Sequence, residues 1–201
     1  MPNEMSLEHN LILKLRSLMV LSALLMPLVS TWVNADGYGF NIQRAELLLD
    51  ESGQMYTLDA DIDYRFSEPA IDALRNGVPL DLVLHLIIKQ ESGWWWRKTL
   101  LDEKFSYRID YHSLSKFYQI IYDNSTPPRN FVSFNALLET MGSIRGMPVM
   151  QSALLKQGER YGAILTVGLD IESLPLPLRP VAYISPAWHL SSPQYKWTFV
   201  N

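Results

Sequence analysis

Three aspartates at two-residue spacing, Asp59, Asp61 and Asp63, are the first residues in the chain whose types and spacing could do chemistry. Carboxylate oxygens are the ligands that calcium prefers. An extended strand separates alternate side chains by roughly 6.6 Å, which is too far for all three to hold one ion. We therefore interpret the aspartates as a solvated strand face balanced by Arg44 or Arg108, with calcium as the alternative, and expect no metal and no cofactor.

The histidines and serines form no catalytic motif. His85, His112 and His189 are isolated in sequence and lack the H-x-H or H-x-x-x-H spacing typical of zinc sites. His85 lies in an apolar run, so we expect a core imidazole with satisfied hydrogen bonds. Ser185, His189 and Asp170 could be assembled into a triad on paper, but no G-x-S-x-G surrounds a serine. We therefore name no catalytic residue.

A run of aromatic and basic residues offers a binding surface: Trp94, Trp95, Trp96, Arg97 and Lys98. A strand directs Trp94 and Trp96 to one face and Trp95 to the other, so the three indoles cannot share one core face. At an exposed hairpin end they would suit a glycan, a partner protein or the membrane interface, where the two cations could meet anionic head groups. In a central hairpin covered on both faces, they would be core residues instead.

Alternating apolar and polar residues predict the strands that position these groups. From Leu58 to Phe66 every even position is apolar and every odd position is charged, which is typical of an antiparallel strand with one wet face. The same alternation recurs in residues 105–111 and 161–171. The apolar run from Leu80 to Ile88 predicts a strand covered on both faces, which forms a hairpin with residues 94–101. Further strands are expected at residues 40–49, 117–122 and 195–200.

Two short helices are expected between the strands. Ser67 can cap a helix from Glu68 to Asn76 that stops at Gly77, and Ser133 can cap a helix from 135 to 141. Residues 148–157 suit either a helix or an irregular chain. Many strands without regular strand-helix alternation predict a mainly β fold: a two-layer antiparallel β-sandwich with two short helices and a Pro-rich C-terminal strap.

The first residues have the parts of a secretory signal. Lys14 and Arg16 precede an apolar run from Leu18 to Val29, and small residues end at Ala35. We expect a signal peptide over residues 1–35 and a single domain over residues 36–201. An uncleaved anchor is the alternative, because residues 17–33 reach the lower length limit of a spanning helix, about 17 residues. Either way the domain is expected in the periplasm.

Net charge and cysteine content limit which partners and which stabilising interactions are expected. The net charge is −4 and basic residues do not cluster, so a nucleic acid is not expected as a partner. With no cysteine in the chain, disulfides and thiolate ligands are excluded. Stability must therefore come from packing.

The C-terminal region carries a proline-rich run made of Leu174, Pro175, Leu176, Pro177, Leu178, Arg179 and Pro180, followed by Trp188 and Trp197. These residues, with the tryptophan triplet, Tyr111-His112 and Tyr161, resemble domain-of-unknown-function family 4390, whose members are described as proline-rich signal-peptide proteins. The resemblance implies export in proteobacteria and a shared compact domain, and it implies no activity, ligand or catalytic residue.

Three prolines without N–H donors predict a polyproline-like conformation for this run. It would either dock on its own sandwich, with Arg179 bonding carbonyls or a carboxylate, or serve as a recognition strip for a partner.

A sandwich with exposed aromatic residues and no catalytic motif favours recognition over turnover. The leading hypothesis is an exported binding or interaction module of the cell envelope. Its surface near Trp94–Trp96 would contact an envelope or inner-membrane protein, or the membrane surface. The alternatives are an envelope hydrolase acting on a glycan or lipid, and a structural accessory of a membrane complex.

Overall fold

The computed structural model describes residues 37–91, 98–122 and 127–201, and the predicted signal peptide lies outside these ranges. Two sheets form the predicted β-sandwich. The smaller has the order β1-β2-β7, from strands Gly39–Leu49 (β1), Met55–Arg65 (β2) and Ser143–Gln151 (β7). The larger has the order β6-β5-β4-β3-β8-β9, from strands Leu80–Gln90 (β3), Thr99–His112 (β4), Phe117–Ile121 (β5), Arg129–Phe131 (β6), Arg160–Leu169 (β8) and Tyr195–Val200 (β9).

The alternating patterns place one face of each sheet in the core. In β2 the even residues Leu58, Ala60, Ile62 and Tyr64 are buried and the residues between them are partly exposed. β8 alternates in the same way. Every strand pairing among the described residues is antiparallel, as the alternation predicts, and Gly53 (φ +69°) turns the chain from β1 into β2. Within the described ranges, no helix is both long and apolar enough to span a membrane.

β3 is covered on one face, so the prediction of two covered faces was wrong. Leu82, Leu84 and Leu86 are buried, whereas Val83, His85 and Ile87 are partly exposed. β3 lies in the middle of its sheet, between β4 and β8. Its outer face carries the apolar residues Val83 and Ile87, which made the sequence run continuously apolar. His85 is therefore not a core residue, and its Nε2 lies 2.6 Å from Oδ1 of Asp102 in β4.

The chain has three short α-helices, one more than predicted: α1 (Glu68–Arg75), α2 (Phe134–Gly142) and α3 (Arg179–Ile184). α1 stops at Gly77, whose φ of +84° is the predicted left-handed conformation. Ser67 precedes α1, but its hydroxyl does not cap the helix; it donates to the carbonyl of Ala187 at 2.6 Å. The cap of α2 is the predicted one, because Ser133 Oγ accepts from the N–H of Ala136 at 3.2 Å.

Ser133→Ala should lower the free energy of unfolding by about 1 kcal/mol, because it removes this cap and leaves a helix N–H without its partner. Urea denaturation would measure the loss. Ser115→Ala in the exposed turn between β4 and β5 is the matched control, with an expected change within about 0.5 kcal/mol. Equal losses in the two variants would contradict a capping role for Ser133.

The C-terminal region does not form the predicted extended strap. Residues 171–192, here named the C-terminal cap, contain α3 between two 3₁₀ turns, Ile171–Ser173 and Pro186–Trp188. Pro180 and Pro186 lie in the first turn of a helical segment, where a missing N–H costs no hydrogen bond. The polyproline prediction was wrong because it overlooked these tolerated positions.

The C-terminal cap packs on its own sandwich. Its Leu174, Ala182, Trp188 and Leu190 are buried. Leu169 N donates to Leu190 O and Ser192 N to Val167 O, both at 2.8 Å, so the cap continues the ladder of β8 beyond the end of β9. Arg179 Nε donates to Leu174 O at 2.7 Å, and its guanidinium lies 3.9 Å from the Glu172 carboxylate.

Candidate functional site

The two sheets are unequal in width, and this leaves a groove between them. β5 pairs with β4 only over Arg108–His112, so within the described residues Thr99–Tyr107 of β4 have no strand on that side. β7 is an edge of the smaller sheet and pairs with β2. The space between these two strand edges has a volume of about 1110 Å³. We name it the β4–β7 groove.

The floor of the β4–β7 groove is apolar. Strand alternation turns Phe105 and Tyr107 of β4 inward, and β7 and the end of α2 supply the opposite wall. The apolar lining residues are Leu84, Phe105, Tyr107, Met141, Ile144 and Met147. Apolar side chains on a ligand would gain by burial against them.

The rim of the groove is positively charged. Lys104, Arg129 and Arg145 line it, and no aspartate or glutamate of the described ranges 37–91, 98–122 and 127–201 is among the lining residues, although the whole chain has a net charge of −4. Neither Lys104 nor Arg129 has a carboxylate within 4.0 Å among the described residues. Such a local excess of one sign favours a negatively charged ligand.

Arg145 is fixed to the wall by β2. Its guanidinium forms an ion pair with Asp61 and donates to the carbonyl of Ala60 at 3.0 Å. The hydrogen bond from Arg145 lowers the pKa of Asp61 below its ordinary value of 3.8, so this carboxylate stays ionised at neutral pH. Arg145 is therefore a partly neutralised anchor, and Lys104 and Arg129 supply the remaining positive charge.

The aspartate face of β2 supports the wall of the groove. Asp59 Oδ1 accepts from Gly146 N at 2.7 Å, and Asp63 pairs with Arg65 at 2.8 Å. Arg44 bonds Asp61 at 3.2 Å, as the sequence predicts.

Arg108 of β4 pairs with Asp81 on the neighbouring strand β3, at 2.7 and 2.8 Å. Of the two arginines named as partners of the β2 aspartates, Arg44 is therefore the one that bonds them. Among the described residues, no group of three His, Asp or Glu side chains is placed to hold a metal ion.

Tyr107 in the floor of the groove contacts a second buried tyrosine, Tyr64 of β2. The hydroxyls of Tyr64 and Tyr107 are hydrogen-bonded to each other. Burial raises the pKa of both phenols above their ordinary value of 10.0. Both are therefore neutral at physiological pH and can donate or accept a hydrogen bond, but they cannot serve as a base.

The residues that could do proton chemistry lie elsewhere and are not assembled. His189 Nε2 is 3.2 Å from the carbonyl of Tyr183, and Asp170 Oδ1 accepts from Glu172 N at 3.0 Å. With Ser185, they make none of the hydrogen bonds of a triad among the described contacts. None of the three histidines after residue 36 lines the groove.

The binding surface predicted from the sequence falls mostly outside the described residues. Trp94, Trp95, Trp96 and Arg97 lie in the segment 92–97, so their role stays a prediction. Lys98 is exposed, and its carbonyl accepts from Gln90 N at 3.0 Å, which closes the predicted β3–β4 hairpin. Sequence reasoning missed the β4–β7 groove, because its walls come from strands far apart in the chain.

Comparison with known proteins gives one match. A family model, Domain of unknown function (DUF4390), matches residues 38–198, which is nearly all of the described part of the chain. No curated protein and no solved structure matches.

Proposed function

The chain belongs to the Domain of unknown function (DUF4390) family, and from this premise we propose that it is an exported binding module of the cell envelope. Its β4–β7 groove holds an extended, acidic segment of a partner polypeptide. The observation that carries the proposal is the groove itself, whose described residues form an apolar floor and a cationic rim that contains Lys104 and Arg129. Support for export is the basic pair and apolar run before Ala35.

The strand edge of β4 favours a polypeptide over a lipid tail. Alternate residues of an edge strand direct their N–H and C=O groups away from the sheet. Along Thr99–Tyr107, these groups face the groove side without a strand partner among the described residues. An acyl chain laid there would remove water and leave each group unpaired, at a cost of roughly 1–3 kcal/mol each. An added strand would form the missing hydrogen bonds.

Strand periodicity also matches the two surfaces of the groove. In an added strand, successive side chains point to opposite faces. Apolar side chains at alternate positions would cover Phe105 and Met147, and acidic side chains between them would reach Lys104 and Arg129. The preferred segment therefore alternates apolar and acidic residues.

A synthetic peptide tests the proposal. A fluorescent peptide of alternating valine and glutamate, about eight residues long to match the open edge, should bind the full chain. The double variant Lys104→Glu and Arg129→Glu should bind it about tenfold more weakly, because two favourable charge contacts become repulsive. Fluorescence anisotropy at low salt would measure the dissociation constants.

The control is a double variant of equal charge change, Lys156→Glu and Lys196→Glu. Both lysines are exposed and neither lines the groove, so the peptide should keep its affinity within about twofold. Equal weakening in both double variants would point to net charge alone and reject the groove. Competition by palmitate, or equal binding of a valine-lysine peptide, would reject an acidic polypeptide as the ligand.

A further inference from the structure

Three tyrosines gather beside the β4–β7 groove. Tyr107 and Tyr122 line it, and their ring centroids lie 6.1 Å apart. The hydroxyl of Tyr64, in β2, is hydrogen-bonded to the hydroxyl of Tyr107. Tyr64 and Tyr107 are buried, with 4% and 7% of their surface exposed, whereas Tyr122 is half-buried. A cluster of phenols therefore adjoins the apolar floor.

The two buried phenols have one more hydrogen-bond donor than their mutual contact uses. Burial raises the pKa of Tyr64 and Tyr107, and the nearness of Tyr122 raises both further, so both hydroxyls keep their protons at neutral pH. The hydrogen bond between them uses one of the two protons. Among the described residues, neither hydroxyl has a second partner, Tyr122 included. One buried O–H group therefore still needs an acceptor.

Tyr107 is the phenol that can offer this proton to a ligand, because it lines the groove and Tyr64 does not. When Tyr64 donates to Tyr107, the proton of Tyr107 is left for an acceptor on the groove side. Water can accept it in the free protein, and a ligand that displaces this water has to replace its hydrogen bond. A ligand side chain without an oxygen would leave a buried donor unpaired, and binding sites discriminate strongly against such ligands.

We propose that Tyr107 determines the ligand residue beside it: the bound segment carries a side-chain amide, as in glutamine, at the inward position nearest Tyr107. This inference rests on the proposed binding of a polypeptide and adds the chemistry of one ligand position. A carboxylate at that depth would exchange water for neutral phenols and lose its solvation. An amide oxygen is uncharged and has two lone pairs, so it can accept from Tyr107 and Tyr122 together.

Variants of the peptide test the inference on the unchanged protein. Each valine of the valine-glutamate peptide would be replaced in turn by glutamine and, as an unbranched side chain of similar length without the amide, by methionine. At one position the glutamine peptide should bind about tenfold more tightly than the methionine peptide. At the other inward positions methionine should bind at least as well, because the floor there is apolar. Fluorescence anisotropy would measure the dissociation constants.

A pair of protein variants assigns the preference to its residue. Tyr107→Phe should abolish the preference for glutamine and should not weaken binding of the valine-glutamate peptide, because the unpaired donor is gone. The matched control is Tyr56→Phe, which also removes a buried phenol hydroxyl, here one bonded to Asn201 Oδ1 at 2.7 Å. Tyr56 does not line the groove, so the tenfold preference should persist. If Tyr107→Phe does not fold, the peptide series on the unchanged protein still decides.

The outcomes that overturn the inference differ from those that overturn the proposed function. Equal binding of glutamine and methionine at every position, with the valine-glutamate peptide still bound, would leave the groove proposal intact. The spare proton would then belong to Tyr64, which also borders a smaller cavity. A preference that persists in Tyr107→Phe, or tighter binding of glutamate than of glutamine at that position, would equally reject the inference. Failure of every peptide to bind would reject the proposed function and this inference with it.

Discussion

Trp188→Ala should lower the free energy of unfolding by about 3–5 kcal/mol, the usual cost of removing a large buried aromatic side chain and leaving a cavity. Trp188 is only 5% exposed although it lies in a short 3₁₀ turn near the C-terminus. That turn packs on α1, and the preceding residue, Ala187, accepts the hydrogen bond from Ser67. Urea denaturation of the two proteins would give the difference.

Ile184→Ala is the control for this prediction. It shortens an apolar side chain of the same cap, but one that is 82% exposed, so we expect a change within about 0.5 kcal/mol. Equal costs for the two variants would mean that the C-terminal cap contributes little to the core. A large loss in the free energy of unfolding for Trp188→Ala alone would show that the proline-rich C-terminal region stabilises the core of the sandwich.

The strands were the most predictable part of the fold, because each alternating segment has a single way to bury its apolar face. Residues 58–66 alternate between apolar and charged without interruption, and in β2 buried and partly exposed residues alternate in the same order. The sequence of β3 lacks this strict alternation. A continuous apolar run such as Leu80–Ile88 indicates a strand, but it does not reveal whether a second layer covers the outer face, where Val83 and Ile87 are partly exposed.

Two segments were mispredicted for the same physical reason. Glycine and proline usually interrupt strands and helices, but at some positions of an element they destabilise it little. Because of Gly146 and Pro148, no strand was predicted where β7 lies. An edge strand with register shifts accommodates both residues. Because of Pro180, no helix was predicted where α3 lies. Pro180 is in the first turn of α3, where a backbone N–H has no acceptor within the helix, so its absence loses no hydrogen bond. How much a glycine or proline destabilises a helix or strand depends on its position within that element, and the position is not known from the sequence alone.

The groove could not be predicted from local sequence. It exists because one sheet has three strands and the other six, and because β5 stops pairing at Arg108. Lys104, Arg129 and Arg145 come from three different strands, so their spacing in the sequence carries no signal. Only strand order and strand length in three dimensions bring them together.

Amide hydrogen exchange should show the strongest effect of ligand binding. With the valine-glutamate peptide at about 100 times its dissociation constant, exchange at alternate residues of Thr99–Tyr107 should slow by up to about 100-fold. The reason is that each N–H directed at the groove changes its acceptor from water to a carbonyl of the added strand. Backbone amides of residues 113–116, in the turn after β4, should exchange at the same rate with and without peptide.

The spacing of the protected amides separates strand addition from other ways of filling the groove. A ligand that only covers the apolar floor would slow neighbouring residues together, or none, because it offers no acceptors at strand spacing. An added strand slows every second residue, since the residues between them already pair with β3. Protection without this alternation, or the same protection produced by palmitate, would contradict strand addition at β4 while leaving the cationic rim as a binding surface.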